Sequence, residues 1–481
     1  MLLYLKNITV KTLLEHHMEL FKEEKHKKLL KKLQDCIKGT AFQNNVYLVG
    51  GCVRDALLDE PIKDIDIVVS LKNGGIMLAN LLAAKEKCYK MGSNPVVYPK
   101  YGTAKVTLYN DEDLKDLDLE FVQTRKEQYH EDSRNPEQVF GTVEEDAKRR
   151  DLTINSLYYN VSDEKLYDFN MGIDDLVNQV IKTPTDPDIT FNDDPLRILR
   201  VIRFSCRYGW GIEKNTWMGM VKNAHRIKII SQERITDEVS KIITSPNPSV
   251  GIRKMLFCGL LNKVMPDIYD LTNAYESRNP MLTSFDHTMM VLDKVQPYIE
   301  PRLAALFHDV GRIATEINRG ISQDLFSADV AACDLKIMKF PNAIINSVEN
   351  SIKYHRFFKN YADGTVPPDK KIRKFINLCG DNIGNVVDLM NANNLYQTYD
   401  KKKRQALDIL NRIEELDELE EAKNVKLPID GKDIMKHLGI KSSPTVGKLM
   451  DYLKEAYFEN PKITKEECLK LVEDKIKVLA V

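Results

Sequence analysis

The sequence predicts an α+β head followed by a long all-α body, and a change of pattern along the chain indicates this class. Between about residues 46 and 168, short apolar and β-branched runs are separated by turn residues, which is typical of strands. From about residue 190 onwards, apolar residues recur at helical spacing. Strands in one part of a chain and helices in the rest favour an α+β architecture.

Composition excludes several classes of protein. The chain has 481 residues, 43% of them hydrophobic and 29% charged, so it can bury sizeable cores. Seventy basic and 71 acidic residues leave a net charge of −1, so nucleic-acid binding must come from local patches. The eight cysteines form no C-x-x-C pair, and no apolar run reaches the roughly 18 residues of a membrane span. We therefore expect a reduced cytoplasmic protein with no membrane partner.

The first predicted elements lie in residues 1–45, which we expect to form one or two helices. The Lys-rich stretch 19–38 carries apolar residues at roughly helical spacing. Its lysines are interpreted as a solvated face, with an RNA contact as the lesser alternative. The apolar residues are Leu20, Phe21, Leu29, Leu30, Leu33 and Ile37.

The head follows as a series of short elements. V-Y-L-V-G-G predicts a strand that runs into a glycine turn, C-V-R-D-A-L-L a short helix, and D-I-D-I-V-V-S a second strand. K-V-T-L-Y and D-L-E-F-V-Q are two further candidate strands. Y-Y-N-V-S-D-E-K-L-Y-D-F is the last plausible hairpin before the helical body.

An acidic pair lies on the second predicted strand. Asp64 and Asp66 are two residues apart, so both carboxylates lie on one face, with Ile65 and Ile67 on the other. Two adjacent negative charges are costly unless a cation lies between them, and Mg²⁺ prefers carboxylates and phosphate oxygens. Taken alone, so short a motif is more often a pair of solvated acids.

The neighbouring sequence favours the functional interpretation. Gly50 and Gly51 end a strand and open a helix, where the backbone can approach a phosphate closely. A third carboxylate would complete a two-metal site for phosphoryl transfer. Asp118 and Glu120 alternate on a later strand, and either could face the pair.

These residues resemble the nucleotidyltransferase superfamily of DNA polymerase β, and specifically the class II CCA-adding enzyme and bacterial poly(A) polymerase family. Four motifs follow one another in the family's order over about 160 residues. The motif residues are Gly50-Gly51, Arg54-Asp55, Asp64 and Asp66; Arg149, Arg150, Asp151 and Asn155; Asp168, Gly172 and Asp175-Leu176; and Asp193, Asp194 and Arg197. Within the family, the third carboxylate lies a few residues before an arginine, which favours Glu120, ahead of Arg125, over Asp118.

The resemblance implies a polymerase β-like nucleotidyltransferase head followed by an elongated all-α neck, an HD-like body and a tail. The implied ranges are an N-terminal helical segment 1–45, the head 46–160, a neck with the base-selecting helix 161–275, the HD-like body 276–400 and a tRNA-binding tail 401–481.

The resemblance also implies the activity, which is addition or repair of the 3′-terminal CCA of tRNA from CTP and ATP, with release of pyrophosphate. Asp64 and Asp66 would hold two Mg²⁺, and Glu120 would help to hold the first ion or accept the proton. A poly(A) polymerase or a CC-only enzyme is the alternative within the family. An HD-type phosphohydrolase and a non-catalytic RNA-binding protein are more remote, and the chain could be a monomer or a homodimer.

The implied nucleotide-binding residues include a base-reading pair. Asp194 and Arg197 are interpreted as lying three residues apart on one helix face, where an acceptor and a donor could read a base edge. In the family this pair accepts C and A and rejects G and U. An ordinary ion pair is the alternative. The full predicted set is Gly50, Gly51, Arg54, Arg149, Asp151, Asn155, Asp194, Arg197 and Arg200.

Two further segments resemble the family. The polar stretch 125–148 resembles the flexible loop associated with switching from C to A addition, although loop variability alone would also explain it. The tail carries Gly431, Lys432, Asp433 and Gly447 of the family's tail element, which implies a tRNA contact there, but it departs from the family's pattern with Ser443-Pro444 in place of Gly-Pro.

A second constellation resembles the HD superfamily, whose histidines and aspartates hold metals for phosphohydrolysis. It contains His287 and the adjacent His308-Asp309, with His355 as a possible further ligand. The match is incomplete, because Ser327 and Asn393 occupy positions where a histidine and an aspartate are usual. Asp329 or Asp388 could substitute for a missing ligand. We therefore expect a degenerate metal remnant in a scaffold or tRNA-binding body.

Overall fold

The computed structural model describes residues 20–85, 95–99, 102–108, 111–115, 117–128, 137–276, 279–317, 320, 322–359, 365–394, 401–415 and 425–479. The chain divides into two compact units, Met1–Ser231 with Phe257–Leu260, and Gln232–Leu256 with Leu261–Val481. The five domains expected from the sequence are a finer division and stay a prediction.

A seven-stranded mixed sheet forms the centre of the first unit. Its strand order is β3-β4-β5-β2-β1-β8-β9, and β2 and β5 are its parallel pair. The strands of this sheet are β1 (Val46–Val49), β2 (Asp64–Val69), β3 (Val96–Tyr98), β4 (Thr103–Val106), β5 (Asp118–Gln123), β8 (Leu157–Asn160) and β9 (Leu166–Asp168). A separate antiparallel hairpin is formed by β6 (Arg125–Gln128) and β7 (Glu137–Phe140). A short parallel pair is formed by β10 (Val180–Ile181) and β11 (Gly211–Ile212).

Helices cover the sheet and continue beyond it within the same unit. They are α1 (Glu24–Ile37), α2 (Gly51–Leu57), α3 (Gly74–Lys85), α4 (Val143–Lys148), α5 (Gly172–Asn178), α6 (Pro187–Asp193), α7 (Leu196–Tyr208) and α8 (Lys214–Asn223). The Thr153–Asn155 and Ala224–Ile229 segments are 3₁₀ turns.

The sheet core follows the alternation of the strand sequences. Ile65 and Ile67 are buried on the face opposite Asp64 and Asp66, as predicted. Helix α3 packs against β5 so closely that a Cβ on Gly75 would lie 2.7 Å from the Val122 carbonyl carbon. Glycine is therefore required there by space.

Helix α1 confirms the helix predicted in the Lys-rich stretch. It buries Leu29, Leu33 and Ile37, while Leu20 and Phe21 are buried just before its first turn. Lys28 and Lys32 pair with Asp111 at 2.7 and 3.5 Å, so part of the lysine face holds a neighbouring loop. Residues 1–19 lie outside the described residues.

The second unit is dominated by helices. They are α9 (Gln232–Ile243), α10 (Pro248–Phe257), α11 (Leu261–Val264), α12 (Pro266–Asp270), α13 (Ser284–Leu292), α14 (Ile299–Phe307), α15 (Arg312–Ile317), α16 (Gln323–Ile337), α17 (Asn342–Tyr354), α18 (Asp369–Cys379), α19 (Ile383–Asn394), α20 (Lys401–Glu415), α21 (Gly431–Leu438), α22 (Pro444–Glu459) and α23 (Lys465–Leu479). Strands β12 (Tyr275–Glu276) and β13 (Asn279–Thr283) pair beside α13.

The last three helices share an apolar cluster that includes Ile434, Leu449 and Val472. Helix α22 is also joined to α18, where Lys370 and Lys374 pair with Glu459 and Glu455. The tail helices are therefore packed onto the preceding body within this unit.

The α+β class is confirmed, with differences in detail. The predicted strands and the last hairpin are present, although the strand predicted at residues 105–109 lies earlier, at Thr103–Val106. Strand β3 was not anticipated because its three residues are too few to show alternation, and the β6–β7 hairpin was not because its polar residues mask it. The acidic composition of the segment 414–423 predicts a solvent-facing helical spacer, and most of this segment lies outside the described residues. Within the described parts of the chain, every helix is too short or too polar to cross a bilayer.

Candidate active site

Four carboxylates share one face of the sheet where β2 pairs with β5. Asp66 lies opposite Glu120 in the parallel register, and Asp64 lies opposite Asp118. Asp64 and Glu120 are exposed and Asp66 is half-buried. Asp118 is paired with Lys105 at 2.8 Å. The structure thus brings the predicted residues Asp64, Asp66 and Glu120 together on one face. Asp118, the alternative third carboxylate, instead forms an ion pair with Lys105.

The donor set fits a hard divalent cation. Burial raises the pKa of Glu120, and the negative charge of Asp66 raises it further. Burial likewise raises the pKa of Asp66, with Arg150 opposing the shift and Asp64 adding to it. Within the described residues, no ion pair joins Asp64, Asp66 or Glu120 to a side-chain cation. Clustered carboxylate oxygens of this kind are the ligands that Mg²⁺ prefers.

The glycine turn lies against this acidic face. Gly50 has φ 73° and ψ −124°, a backbone conformation that side chains disfavour, and Gly51 begins α2. A Cβ on Gly50 would lie 3.2 Å from Nη1 of Arg150 and 3.7 Å from Oδ2 of Asp66. The bare backbone therefore leaves the approach to both groups open.

Arg54 is buried behind the turn in a network of its own. Its side chain is 4% exposed, and its Nε donates to Asp55 at 2.9 Å while Nη1 donates to the Asn155 amide oxygen. The guanidinium also lies 4.9 Å from the ring centre of Phe204 on α7. A buried guanidinium needs such partners, because an unpaired charge in the interior is costly.

The network continues from Asn155 to α7. The Asn155 amide donates to Asp151 at 3.1 Å, and Arg200 donates to the same carboxylate from Nε (2.8 Å) and Nη2 (2.7 Å). Burial would raise the pKa of Asp151, but Arg200 and Asn155 outweigh it and lower the pKa to about 2. The hydroxyl of Tyr208, the last residue of α7, donates to Asp55 at 3.2 Å and so links the end of α7 back to the partner of Arg54.

The two arginines of the R-R-D motif point to different partners. Arg149 donates to Asp146 at 2.7 Å and to the Arg125 carbonyl at 3.1 Å. Arg150 donates from Nε to the Tyr158 hydroxyl at 3.0 Å and lies beside Gly50. Of the two, Arg150 is therefore the one that lies near Gly50 and Asp66, although Arg149 was the predicted ligand.

The interpretation of Asp194 as a helical residue is wrong. Asp194 is extended, with φ −139° and ψ 98°, and it lies between α6 and α7. The residue before a proline is biased away from the helical region, and Pro195 follows it. Its carboxylate accepts from the Leu196 amide at 3.1 Å, whereas Arg197 lies in the first turn of α7. The two residues lie at a helix start, where the Arg197 amide donates to the Asp194 carbonyl at 3.0 Å, and they do not share a helix face.

Two family models match the chain. The "Poly A polymerase head domain" covers residues 46–182, and the "Probable RNA and SrmB-binding site of polymerase A" covers residues 209–271. The part of the chain that contains the sheet therefore belongs to the poly(A) polymerase head-domain family, to which the sequence motifs pointed. The first match spans Gly50, Gly51, Asp64, Asp66, Glu120 and the R-R-D residues, and it extends past the expected end of the head at residue 160.

Relatives align over nearly the full length. The mitochondrial CCA tRNA nucleotidyltransferase of Candida glabrata is 28% identical over 88% of this chain and 89% of its own. The tRNA nucleotidyltransferase cca2 of Schizosaccharomyces pombe is 27% identical over 93% and 96%. The Bacillus stearothermophilus CCA-adding enzyme in complex with CTP shares the fold, with a TM-score of 0.67, 19% identity and coverage of 95% and 99%.

The family's third motif supports the turn that carries Asn155. Asp168 accepts hydrogen bonds from the amides of Gly172 and Ile173, both at 2.9 Å, at the start of α5. A Cβ on Gly172 would lie 2.3 Å from the Thr153 carbonyl oxygen, so only glycine fits. Thr153 also donates to Asp175 at 2.7 Å. The residues of this motif at the start of α5 therefore hold the 3₁₀ turn Thr153–Asn155 in place through Thr153.

The second unit brings the predicted His287, His308 and Asp309 together. All three are buried, and one ligand atom of each lies within 4.8 Å of the others. Nδ1 of His308 is 2.8 Å from the Ala305 carbonyl, so it carries the hydrogen and Nε2 carries the lone pair. His355 follows the same pattern with the Ile352 carbonyl. Burial lowers the pKa of His308 to about 3 and that of His355 to about 4, which keeps both rings neutral.

The remaining positions depart from the HD pattern. The amide oxygen of Asn393 accepts from Nε2 of His287 at 3.0 Å, and the Ser327 hydroxyl accepts from the Gly311 amide at 2.9 Å. Arg312 and Gln323 both bind the Asp309 carboxylate, at 2.6 and 2.8 Å. Asp329 is exposed and Asp388 binds the Gln296 amide, so neither supplies the missing carboxylate. The donor set fits one transition-metal ion but not a carboxylate-bridged pair.

The largest omission from the sequence prediction is Asp146. It is fully buried and accepts hydrogen bonds from Arg149, Arg150 and Tyr158. The signal was present in E-E-D-A-K-R-R-D, because an acid on a helix meets basic residues three and four positions later.

We predict that Asn155→Ala lowers the free energy of unfolding by about 1–3 kcal/mol, because it removes one buried hydrogen-bond partner from Arg54 and one from Asp151, which keep Asp55 and Arg200. Urea denaturation of the variant measures this loss. Asn80→Ala is the matched control, since the Asn80 amide bonds its own helix at the surface, and it should cost less than about 0.5 kcal/mol. Equal losses in the two variants would contradict the network.

Proposed function

We propose that the chain is a template-independent tRNA nucleotidyltransferase that adds or repairs the 3′-terminal CCA of tRNA from CTP and ATP. The observation that carries the proposal is the register of β2 and β5, which aligns Asp66 with Glu120 beside the Gly50 turn. Relatives named as CCA tRNA nucleotidyltransferases align over almost the whole chain and support the substrate.

The reaction joins a primer 3′-hydroxyl to the α-phosphate of a nucleotide and releases pyrophosphate. Asp64 and Asp66 are the residues that would hold two Mg²⁺, whose chemistry when bound is activation of the hydroxyl and neutralisation of phosphate charge. Glu120 either helps to hold the first ion or accepts the proton from the hydroxyl.

The surrounding residues bind and orient the triphosphate. The exposed backbone at Gly50 and Gly51 lies at a helix start, where amides favour phosphate. Arg150, held beside that turn, supplies positive charge there. Asn155 bonds to Arg54, and Asp151 bonds to Arg200 and to Asn155. We therefore propose that Asp151 and Asn155 orient these two arginines. Their contacts with triphosphate and ribose stay a prediction.

We keep Asp194 and Arg197 as the proposed base-reading pair, although they lie at a helix start and not on one helix face. Both lie at the start of α7, whose later residue Arg200 binds Asp151. The Asp194 carboxylate accepts hydrogen bonds and the Arg197 guanidinium donates them, so together they complement the hydrogen-bonding edge of C or A. The helix start places the pair next to the network that extends to the Gly50 turn.

Partners and location follow from the same proposal. Binding of tRNA by the tail stays a prediction, and the helix start at Ser443-Pro444, which has no side-chain cap, is a candidate phosphate contact. A cytoplasmic location also stays a prediction, since two relatives are named as mitochondrial enzymes. A monomer and a homodimer are both compatible with the fold.

We predict that the purified protein adds C, C and A in order to tRNA transcripts that end before CCA, and then stops. Asp64→Ala/Asp66→Ala should abolish incorporation of labelled CTP and ATP. Glu120→Gln should lower kcat by about 100-fold or more, because it removes an acidic group next to the reacting atoms. Asp118→Asn should change kcat less than about threefold, since Lys105 already holds that carboxylate at the strand start.

Each other outcome of this assay has a definite meaning. Long A tracts without C would assign the protein to the poly(A) polymerases, and addition that stops at CC would indicate a partner enzyme. Absence of incorporation by a folded wild-type protein would overturn the transferase proposal. Binding of triphosphate without turnover would favour a non-catalytic RNA-binding protein.

We predict that Asp194→Ala and Arg197→Ala relax base choice, so that discrimination against UTP and GTP falls by roughly 10- to 100-fold. Competition between labelled nucleotides at the first position measures the ratio. Asp188→Ala is the matched control, because Asp188 on the neighbouring α6 pairs with Lys222 at the surface. Unchanged discrimination in both pair variants would exclude them from base reading.

We propose that the His287, His308 and Asp309 cluster belongs to a degenerate HD-like body that acts as a scaffold and not as a phosphohydrolase. Arg312 already supplies a positive charge to Asp309, and Asn393 stands where a second carboxylate would be needed. A single buried ion would therefore be structural.

We predict no hydrolysis of bis-p-nitrophenyl phosphate above background with Mg²⁺, Mn²⁺ or Ni²⁺ added to the wild-type protein. His308→Ala should lower thermal stability, because it opens a cavity in a fully buried cluster. Release of p-nitrophenol that disappears in His308→Ala would establish an active phosphohydrolase.

A further inference from the structure

Asp146, a buried acid just before the R-R-D motif, accepts hydrogen bonds from four different residues. Asp146 on α4 is 0% exposed. Its Oδ1 accepts from Nη2 of Arg149 at 2.7 Å and from the backbone amide of Arg125 at 3.1 Å. Its Oδ2 accepts from the Tyr158 hydroxyl at 2.6 Å and from Nη2 of Arg150 at 3.3 Å. One carboxylate thus binds a strand start, two arginines and a tyrosine.

The first group of these contacts holds the β6–β7 hairpin. Arg125 is the first residue of β6, and its carbonyl also accepts from Arg149 at 3.1 Å. The hairpin leads through Gly141 into the Thr142 N-cap of α4. A Cβ on Gly141 would lie 2.9 Å from the Lys126 amide nitrogen, so the chain is closely packed where the hairpin joins the helix.

The second group of contacts sets the position of Arg150. The Arg150 guanidinium donates hydrogen bonds to Asp146 and to the Tyr158 hydroxyl. Its Cζ atom lies 5.3 Å from the ring centre of Tyr158. The remaining nitrogen, Nη1, is the atom beside Gly50, on the side where Asp66 lies. Arg150 can therefore present a fixed positive charge at the catalytic face.

We propose that Asp146 is a positioning residue that couples the β6–β7 hairpin to the Arg150 guanidinium at the catalytic face. This inference rests on the proposed nucleotidyl transfer, in which Arg150 meets the triphosphate. A displacement of the hairpin moves the amide of Arg125, and the same carboxylate transmits it to Arg150. A rigid anchor of this kind matters because small misplacements of a charged group reduce turnover strongly.

The electrostatics agree with such a role. Burial would raise the pKa of Asp146, but Arg150 and Arg149 outweigh it and lower the pKa, so the carboxylate is ionised when it binds them. An asparagine in its place keeps the size but loses the charge, and its amide group would face donors from Arg125 or Tyr158. The substitution therefore loosens both contacts at once.

We expect Asp146→Asn to lower kcat for C and A addition by about 10- to 100-fold while KM for tRNA changes less than about threefold. Arg150→Ala should lower kcat similarly, and the double variant should be no slower than the slower single variant. Hydrogen exchange of the peptide 124–128 should accelerate at least about fivefold in Asp146→Asn, because the Arg125 amide loses its charged acceptor.

Tyr158→Phe provides a second variant in case Asp146→Asn does not fold. It removes the hydroxyl between Asp146 and Arg150 but keeps the ring, and should lower kcat about fivefold. Tyr167→Phe is the matched control, since Tyr167 pairs with Tyr158 across the sheet while its hydroxyl binds Asp163 near the surface. The control should keep the wild-type kcat and exchange rates.

Multiplicative losses in the double variant, or a Tyr158→Phe enzyme with wild-type kcat, would overturn the coupling. So would unchanged exchange of the peptide 124–128 in a folded Asp146→Asn protein. Absence of nucleotide addition by the wild-type protein would instead overturn the proposed function, and the exchange experiment would still test the contact between Asp146 and the hairpin.

Discussion

The burial of Arg54 is the constraint on which the rest of the head depends. A guanidinium that is 4% exposed must be surrounded by acceptors, and these come from three different segments of the chain. Asp55 is on its own helix, Asn155 is on the turn after the R-R-D motif, and the ring of Phe204 comes from α7. Satisfying one cation therefore fixes where α2, the turn and α7 meet.

Two buried carboxylates near the acidic face of the sheet each bind arginine side chains. Asp151 binds Arg200 and Asn155 on one side of the R-R-D motif, and Asp146 binds Arg149 and Arg150 on the other. In each case a buried carboxylate is lowered in pKa by guanidinium groups that outweigh the cost of burial. The consequence is a set of arginines whose positions are fixed before any substrate arrives, which reduces the reorganisation that binding requires.

The sequence predicted the parts of the site that depend on local pattern. Alternation placed Asp64 and Asp66 on one face, and the family motif selected Glu120, which the strand register aligns with Asp66. Long-range partners could not be predicted in this way. Which of two adjacent arginines faces Gly50 depends on Tyr158 and Asp146, and the extended conformation of Asp194 depends on a proline whose effect the helical pattern obscured.

The acids of the head fall into two groups, and the difference supports the proposed location of the metal site. Asp146 and Asp151 are buried and bind arginines, so their charge is used by the protein itself. Asp64, Asp66 and Glu120 instead face outward beside one another, and in the described part of the chain no ion pair balances them. Mutual repulsion raises the pKa of Glu120 beyond the effect of burial. Because the fold leaves this repulsion in place, these carboxylates retain the affinity for cations that a triphosphate-binding site requires.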